Sequence, residues 1–307
     1  MDEKTINLII SLYKKGFSIR DIEQKINGDY HRESIRENLK KRGLILRGTG
    51  MRYKDYKQFS SEEEALFAEL LGYFYGDGSL HKFKNTSRGL YDCHLFFSLN
   101  EKDIVKRVTY ITKSLFGFEP RIQGKKGVYA LKLKRSFAKY LASIGYPAGK
   151  KSILNPNFPL KLLKNNLMKR HFICGFLNAE ATVNKTIAVQ QSVRIDLPLK
   201  IIELLKKENK SYKMKNLECF FIKFSKVKPL INSNIKESNM LLDLKKLLND
   251  FEIQSTIYPV RLYLGCNNKA SIHFELQIKP QFIKKIKDFN MLSCNKKADR
   301  LNKLLQG

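Results

Sequence analysis

The chain has 307 residues, of which 43% are hydrophobic, enough for a packed core and for more than one small domain. Its 58 Lys and Arg against 29 Asp and Glu give a formal net charge of +29, which predicts a polyanionic partner, nucleic acid first. Without an apolar run of about 18 residues or cysteines in metal-binding spacing, we expect a cytoplasmic protein with no membrane partner.

Residues 1–47 predict a small all-α domain of three short helices. Apolar residues at helical spacing from Ile6 to Tyr13 form the first stripe, and Ser18 is placed to cap the second helix. The third helix, about residues 31–42, is basic, and the segment resembles a helix-turn-helix module of the resolvase kind. The resemblance implies that this helix enters the major groove. Its candidate DNA contacts are Arg32, Arg36 and Lys40. The alternative is a surface bundle whose charges are merely solvated.

Residues 48–60 are polar and basic and form the expected linker between domains. Arg52 and Lys54 within it are candidates to lie along a DNA backbone as it crosses. Ser61 with Glu64 then predicts a capping box at the start of the next helix.

That helix carries the first of two related nonapeptides, Leu70–Gly78 and Ile173–Ala181. Each contains two small residues four positions apart, which a helix places on one face. These residues are Gly72 and Gly76 in the first copy and Gly175 and Ala179 in the second. A face without bulky side chains allows another backbone to come very close, so the two copies predict a pair of facing helices.

The eighth position of each nonapeptide is acidic: Asp77 in the first copy and Glu180 in the second. Facing helices would bring these two carboxylates to one point. Two like charges so close are unfavourable unless a cation lies between them or one is protonated. The pattern therefore predicts a divalent-metal site.

After each nonapeptide the chain repeats a strand, a helix, a second strand and a short helix. The predicted elements cover residues 90–99, 101–116, 128–134 and 137–144 in the first half and 187–192, 238–251, 271–279 and 282–289 in the second. Residues 194–237 have no counterpart and form a basic insertion, whose apolar run Leu217–Phe224 is expected to add a hairpin or an extra strand. The repeat predicts two related subdomains, 61–165 and 166–307, about a pseudo-twofold axis.

Polar residues alternate with apolar ones along the predicted strands, so long basic and amide side chains share one face in both halves. The candidate DNA contacts on this face are Lys132, Lys134, Gln190, Gln277 and Lys279. Such side chains can read base edges and phosphates in the major groove. A sheet with one solvated face is the alternative.

The paired nonapeptides resemble the motifs of the LAGLIDADG homing endonucleases, and the resemblance covers residues 62–305. It implies an α+β fold of two pseudo-symmetric LAGLIDADG subdomains with saddle-shaped antiparallel sheets, preceded by the small helix-turn-helix domain. It also implies that the motif helices form the interface between the halves. The last acid of each helix would then bind the catalytic metal, with Gly76 and Ala179 as further metal-site residues.

Two features depart from the family pattern. The sixth position, often acidic in the family, is Tyr75 in the first copy and Asn178 in the second, and the final glycine becomes Ala181 in the second copy. The expected metal is Mg²⁺ or Mn²⁺, because carboxylate oxygens are hard ligands. Family members usually place a basic residue near each centre. Here the catalytic candidates are Lys151, with Lys150 as its neighbour, in the block before the second motif, and Lys297, or Lys296, after the last short helix.

The resemblance implies a monomeric, site-specific endonuclease for double-stranded DNA, of the kind that acts in intron homing. Retention of both acids favours this function. Ala181 and the missing sixth-position acids favour a DNA-binding transcriptional regulator on the same fold. A third hypothesis is a maturase that binds intron RNA. We do not expect a protein-splicing element, since Met1 is not a splicing nucleophile and the last residues are Gln306-Gly307.

Overall fold

The computed structural model describes residues 2–14, 17, 19–26, 30–44, 58–82, 91–125, 127–209, 212–214, 217–230, 235–265 and 268–306. These residues fall into two compact units, one within residues 1–52 and the other within residues 53–307. None of the helices in this part of the chain is long and apolar enough to cross a membrane.

The N-terminal unit contains three helices, as the apolar spacing predicts. They are α1 (Glu3–Lys14), α2 (Ile19–Lys25) and α3 (Arg32–Lys41). Their apolar faces meet in a small core formed by Ile9, Tyr13, Ile22, Ile26, Ile35 and Leu39. The predicted cap Ser18 and the linker residues 48–57 lie outside the described residues.

The larger unit begins with a long apolar helix followed by an antiparallel sheet. Its first half comprises α4 (Ser61–Asp77), β1 (Gly78–Lys82), β2 (Tyr91–Ser98), α5 (Lys102–Phe116), β3 (Arg121–Lys125), β4 (Val128–Lys132) and α6 (Arg135–Ser143). The strands have the order β1-β2-β4-β3. Helix α5 covers the sheet because its apolar residues recur every three or four positions from Ile104 to Leu115, and it ends at Gly117 in the left-handed region.

The second half repeats this plan after a connector that contains α7 (Lys151–Leu154). It comprises α8 (Asn166–Glu180), β5 (Ala181–Val183), β6 (Ile187–Ile195), α9 (Leu199–Glu208), β7 (Tyr212–Met214), β8 (Leu217–Lys223), α10 (Phe224–Val227), α11 (Asn239–Asn249), β9 (Ser255–Leu264), β10 (Ala270–Ile278), α12 (Ile283–Asp288) and α13 (Asn295–Gln306). Its six strands have the order β5-β6-β10-β9-β8-β7.

The two sheets match strand for strand, with β5-β6-β10-β9 in the places of β1-β2-β4-β3. The two additional strands come from the insertion, whose hairpin β7–β8 joins the edge of the sheet through pairing of β8 with β9. The expectation of an added hairpin is therefore confirmed. Strand β10 alternates buried and partly exposed residues along its whole length, as the sequence pattern predicts.

The structure corrects several predicted details. The capping box of α4 is formed by Ser60 and Glu63 and not by Ser61 and Glu64: the Ser60 amide donates to Glu63 Oε2 at 2.8 Å, and the Glu63 amide donates to Ser60 Oγ at 3.3 Å. Two adjacent serines precede three adjacent glutamates, so the sequence fits both registers. Glu64 instead pairs with Lys164.

Two predicted strand residues lie beyond their strands. Strand β4 ends at Lys132. Lys134 occupies the position before α6 without a capping hydrogen bond from its side chain, and its ammonium lies 5.3 Å from the centre of the Phe118 ring. Strand β10 ends at Ile278, because Lys279 begins the turn into a short 3-10 helix at Pro280–Phe282. Alternation of residue types continues past both strand ends, so the sequence alone does not mark them. Strands β1, β3, β5 and β9 were not predicted.

Candidate active site

Helices α4 and α8 pack backbone against backbone where their glycines meet. A Cβ atom at Gly72 would lie 2.7 Å from the amide nitrogen of Phe176 and closer still to the carbonyl oxygen of Phe172. One at Gly175 would lie 3.0 Å from the amide nitrogen of Tyr73. Atoms do not pack at such distances, so a side chain at either position would force the helices apart.

One turn further on, the helices bring their acids together. A Cβ at Gly76 would overlap the Cβ of Ala179 and lie 3.1 Å from Cγ of Glu180. Asp77 is the last residue of α4, and Glu180 is the last residue of α8. The structure thus gathers the four small interface residues and both acids at the adjoining ends of the two helices.

The electrostatics of the two carboxyl groups follow from this proximity. Burial, followed by the nearby Glu180 carboxylate, raises the pKa of Asp77 to about 8. Burial also raises the pKa of Glu180, although Lys151, Gln191 and Lys297 act in the opposite direction. Without a further cation, at least one of these acids resists ionisation near neutral pH.

Each motif helix ends against a lysine. The ammonium of Lys151, at the start of α7, donates to the carbonyl oxygens of Phe74 at 3.3 Å and Tyr75 at 2.8 Å, and to that of Gly76. These are carbonyls of the last turn of α4, where the negative end of the helix dipole lies. The Phe74 carbonyl also accepts from the amide of Gly78 and, at 2.6 Å, from the hydroxyl of Tyr146.

Lys297 makes the matching contacts in the other half. From α13 it donates to the carbonyl oxygens of Leu177 at 3.3 Å and Ala179 at 3.1 Å, and to that of Asn178. Burial lowers the pKa of both lysines. The two lysines that the resemblance singled out therefore lie at equivalent places beside the acids.

Two further residues belong to this site and were not predicted. The Gln191 side chain lies close enough to Glu180 to lower the pKa of its carboxyl group. Glu101, at the start of α5, places Oε1 3.9 Å from the Lys297 ammonium and so links the two halves. The sequence contains a sign of this role for Gln191. Every second residue of β6 from Ile187 to Val193 lies on the side that faces the core, and Gln191 is the polar member of that set, which otherwise consists of Ile187, Val189 and Val193.

The site is not fully symmetric. The pairing of Gly78 with Leu95 and of Ala181 with Val189 makes Phe97 the positional equivalent of Gln191. Phe97 is buried and packs edge-on against Tyr73. The amide of Gln191 thus lies beside the Glu180 carboxyl in the second half, whereas the equivalent position in the first half, the half of Asp77, carries the aromatic ring of Phe97.

No family model matches the chain. A DNA polymerase from Thermococcus aggregans is 29% identical over an alignment of 181 positions that covers 53% of this chain. The chain spans only 9% of the length of that polymerase.

Several solved structures have a similar arrangement. A variant of I-DmoI in complex with its target DNA and Mn aligns with 74% of this chain and 93% of its own, at 16% identity and a TM-score of 0.39. The homing endonuclease I-WcaI bound to its DNA recognition sequence aligns with 84% of this chain and 97% of its own, at 15% identity and a TM-score of 0.37. The N-terminal LAGLIDADG domain of DUF199/WhiA aligns with 83% of this chain and 98% of its own, at 14% identity and a TM-score of 0.35.

Because these superpositions are loose, the assignment rests on the elements of this chain: two helices joined through small residues, each leading into a sheet of the same strand order. These elements match the α+β fold that the resemblance to the LAGLIDADG homing endonucleases implies. This likeness concerns the architecture and leaves the activity to be argued from the site.

The two departures from the LAGLIDADG pattern have structural explanations. Tyr75 packs among the rings of Tyr146, Phe158 and Phe172, with centroids 5.1 to 5.8 Å apart. Asn178 is buried and accepts hydrogen bonds from the amides of Ser293 at 3.1 Å and Cys294 at 2.8 Å. Both sixth positions therefore serve packing.

The last residue of the second motif imposes no backbone strain. Ala181 has φ −72° and ψ 139°, close to the φ −82° and ψ 152° of Gly78. Both are extended conformations that any residue adopts. The substitution of glycine by alanine is thus no evidence for a disabled second half.

No group of three or more His, Cys, Asp or Glu side chains that could hold a metal ion occurs among the described residues. The two LAGLIDADG acids nevertheless fit a divalent cation, since they are hard oxygen donors whose mutual repulsion a cation would relieve. Mg²⁺ commonly takes only one or two carboxylates and completes its shell with waters and substrate phosphate.

The predicted DNA contacts lie in different places. On the sheets, Lys132 pairs with Asp92, Gln190 donates to Glu275 Oε2 at 2.6 Å, and Gln277 lies on the solvent-facing side of β10. Lys279 lies beyond β10 and bonds Gln254 at 3.0 Å.

The remaining predicted contacts belong to the N-terminal segment. Arg32 pairs with Glu23, and Arg36 pairs with Glu33. Lys40 lies on α3. Arg52 and Lys54 lie outside the described residues.

Proposed function

We propose that this chain is a metal-dependent endonuclease that cuts both strands of duplex DNA at a specific site. The observation that carries the proposal is the pair of acids at the ends of α4 and α8. They are partly buried, raised in pKa and flanked by two lysines. A pair of this kind is costly unless a cation binds there, which is typical of a functional site.

Asp77 and Glu180 would hold Mg²⁺ or Mn²⁺, with the carbonyls of Gly76 and Ala179 adjacent. A divalent ion so bound supplies Lewis acidity toward the phosphate and lowers the pKa of bound water. Each acid comes from a different half, so the site can address one strand on either side of the pseudo-twofold axis.

The residues around the acids have separable roles in this proposal. Lys151 and Lys297 hold positive charge within reach of both carboxylates, where charge develops on the phosphate. Their lowered pKa also suits them to proton exchange with a nearby water. Gln191 orients the Glu180 carboxyl, and Glu101 orients Lys297.

The solvent-facing sides of the two sheets are the proposed DNA surface. They follow directly from the acids through β1 and β5, and they carry Lys132, Gln190 and Gln277. Amide and basic side chains of this kind can contact base edges and phosphates. The net charge of +29 supports a polyanionic partner.

The test is cleavage of a plasmid library that carries randomised duplex inserts, with Mg²⁺ and with EDTA. We expect metal-dependent cutting at one recurring sequence by the wild type, and none by Asp77→Asn or Glu180→Gln. Glu119→Gln, which alters an exposed carboxylate paired with Lys113, is the matched control and should cut normally. Unchanged cutting by either acid variant would contradict the proposed metal site. Specific binding without cutting in Mg²⁺ and Mn²⁺ would make the chain a DNA-binding regulator.

We also propose that the N-terminal unit contributes DNA affinity through α3. Arg36→Ala in the full chain should weaken binding to the target and reduce the slope of log K against log salt by about one. An unchanged slope would limit DNA binding to the larger unit.

A further inference from the structure

The hairpin β7–β8 creates a cluster of aromatic rings around an arginine. We call Phe221, Arg261, Tyr263 and His273 the aromatic–arginine cluster. The guanidinium carbon of Arg261 lies 4.7 Å from the centre of the Phe221 ring. The Phe221 ring lies 5.1 Å from that of Tyr263 and 5.9 Å from that of His273.

Strand register places the cluster on the solvent-facing side of the sheet. Phe221 pairs with Tyr263 across β8 and β9, and His273 pairs with Arg261 across β10 and β9. The residues between them, Ile222 and Leu262, are buried on the opposite side. The cluster thus shares its face with Gln190 and Gln277, on the surface proposed to meet DNA.

One ring of the cluster, that of Phe221, is exposed, whereas Arg261, Tyr263 and His273 are partly buried. Phe221 is 40% exposed, although large apolar side chains are usually buried. Nε of Arg261 is buried and has no hydrogen-bond partner among the described residues. The buried Nε cannot itself reach a ligand, but the Arg261 side chain as a whole is partly exposed. An apolar ring open to solvent beside a partly exposed cation is suited to a ligand with an apolar edge and nearby acceptors.

The position of the cluster sets which part of a DNA target it can reach. Strand β8 is four strands away from β5, which follows Glu180 directly. At about 4.8 Å between neighbouring strands, this is roughly 19 Å across the sheet. The first half has no strand in this place among the described residues, so the contact would extend only one side of the target.

We propose that the aromatic–arginine cluster is a base-reading subsite for a thymine in the outer part of the target. Phe221 contacts the 5-methyl group in the major groove, and Arg261 donates to the acceptor edge of a neighbouring base. Apolar contact with the thymine methyl and arginine contact with guanine are common modes of major-groove readout. This inference rests on the proposed function, since it requires duplex DNA on the solvent-facing side of the sheets.

The experiment has two stages, both in EDTA so that binding is measured without cleavage. The wild type first selects sequences from a randomised duplex library. Each thymine of the selected target is then replaced by deoxyuridine, which removes only the 5-methyl group. Losing one buried methyl should weaken wild-type binding about fourfold at one outer position.

Phe221→Ala should bind the thymine and deoxyuridine duplexes equally, because the partner of the methyl group is gone. Phe221→Leu keeps an apolar side chain and should retain part of the discrimination, which guards against a variant that folds poorly. Tyr110→Ala is the matched control: Tyr110 is 55% exposed, and Arg107 lies 5.5 Å from its ring, but it belongs to α5 and not to the sheet. It should discriminate as the wild type does.

The outcomes separate this inference from the proposed function. If the wild type selects a target but no outer methyl group affects binding, or if Phe221→Ala still discriminates, the subsite is refuted while the DNA surface stands. If the wild type selects no duplex sequence, the proposed function itself fails.

Discussion

Replacing Asp77 with asparagine should change the stability of the metal-free protein in a pH-dependent way. Burial and Glu180 raise the pKa of Asp77 from its usual 3.8 to about 8 in the folded protein. Between these two values the unfolded chain has lost the proton while the folded protein keeps it. The unfolded state therefore binds fewer protons, and the free energy of unfolding falls as pH rises through this range.

The size of the effect follows from the same pKa values. At pH 7, ionisation of Asp77 in the unfolded chain costs the folded protein up to about 4 kcal/mol of stability, at roughly 1.4 kcal/mol per pH unit. The amide of the Asp77→Asn variant cannot ionise, so the variant avoids this loss. Its stability relative to the wild type should therefore rise steadily from pH 4 to pH 8. The change with pH is the decisive quantity, because a constant offset could come from altered hydrogen bonding.

The assay is urea denaturation of both proteins in EDTA at several pH values from 4 to 8, repeated with Mg²⁺ at pH 8. Metal binding should stabilise the wild type more than the variant, since the ion replaces the proton at the carboxylate. A stability difference that stays constant with pH would refute the reasoning about the acid pair. Equal stabilisation by Mg²⁺ would exclude Asp77 as a ligand.

Three other predictions concern the framework of the site. Gly72→Ala should lower the melting temperature sharply and reduce the free energy of unfolding by about 3 kcal/mol or more, because the new Cβ would meet the α8 backbone. Gly124→Ala is the control and should have little effect, since Gly124 has open space around it. Equal melting temperatures of the two variants would contradict the close crossing of the helices. Glu69→Gln should lower the free energy of unfolding, measured by urea denaturation, by roughly 3 kcal/mol, because this buried carboxylate accepts hydrogen bonds from Arg107 at 2.7 and 2.8 Å. A loss below about 1 kcal/mol would argue against a tight ion pair. Asp243→Leu should lower the free energy of unfolding by about 2 or 3 kcal/mol and make the connector before α8 more sensitive to proteolysis, because the amide of Phe158 loses its acceptor. Resistance to protease equal to that of the wild type would show that other contacts hold the connector in place.

The sequence predicts the repeated elements well because their signals are local. Apolar spacing along α5 and alternation along β10 are set by the period of each element, and both are present in the structure. Errors arise at boundaries, where the local signal is ambiguous. Ser60 and Ser61 both fit the cap of α4, and alternation runs past the ends of β4 and β10.

Part of the candidate site can also be predicted from the sequence, because some of its residues belong to a local, repeated pattern. Asp77 and Glu180 end two copies of one nonapeptide, so repetition marks them out. Gln191 and Glu101 carry no such mark, because their relation to the acids depends on strand register and on the contact between the two halves.

By itself, the sequence determines two helices with one small-residue face each, an acid at the end of each, and a repeat of strands and helices. The tertiary structure decides that the two faces meet, because only a close crossing of backbones can bury Gly72 and Gly175. It also decides that Lys151 and Lys297 reach the carbonyls at the ends of both helices. The pKa shifts of the acids are equally non-local, because burial and neighbouring charge depend on residues that are distant along the chain.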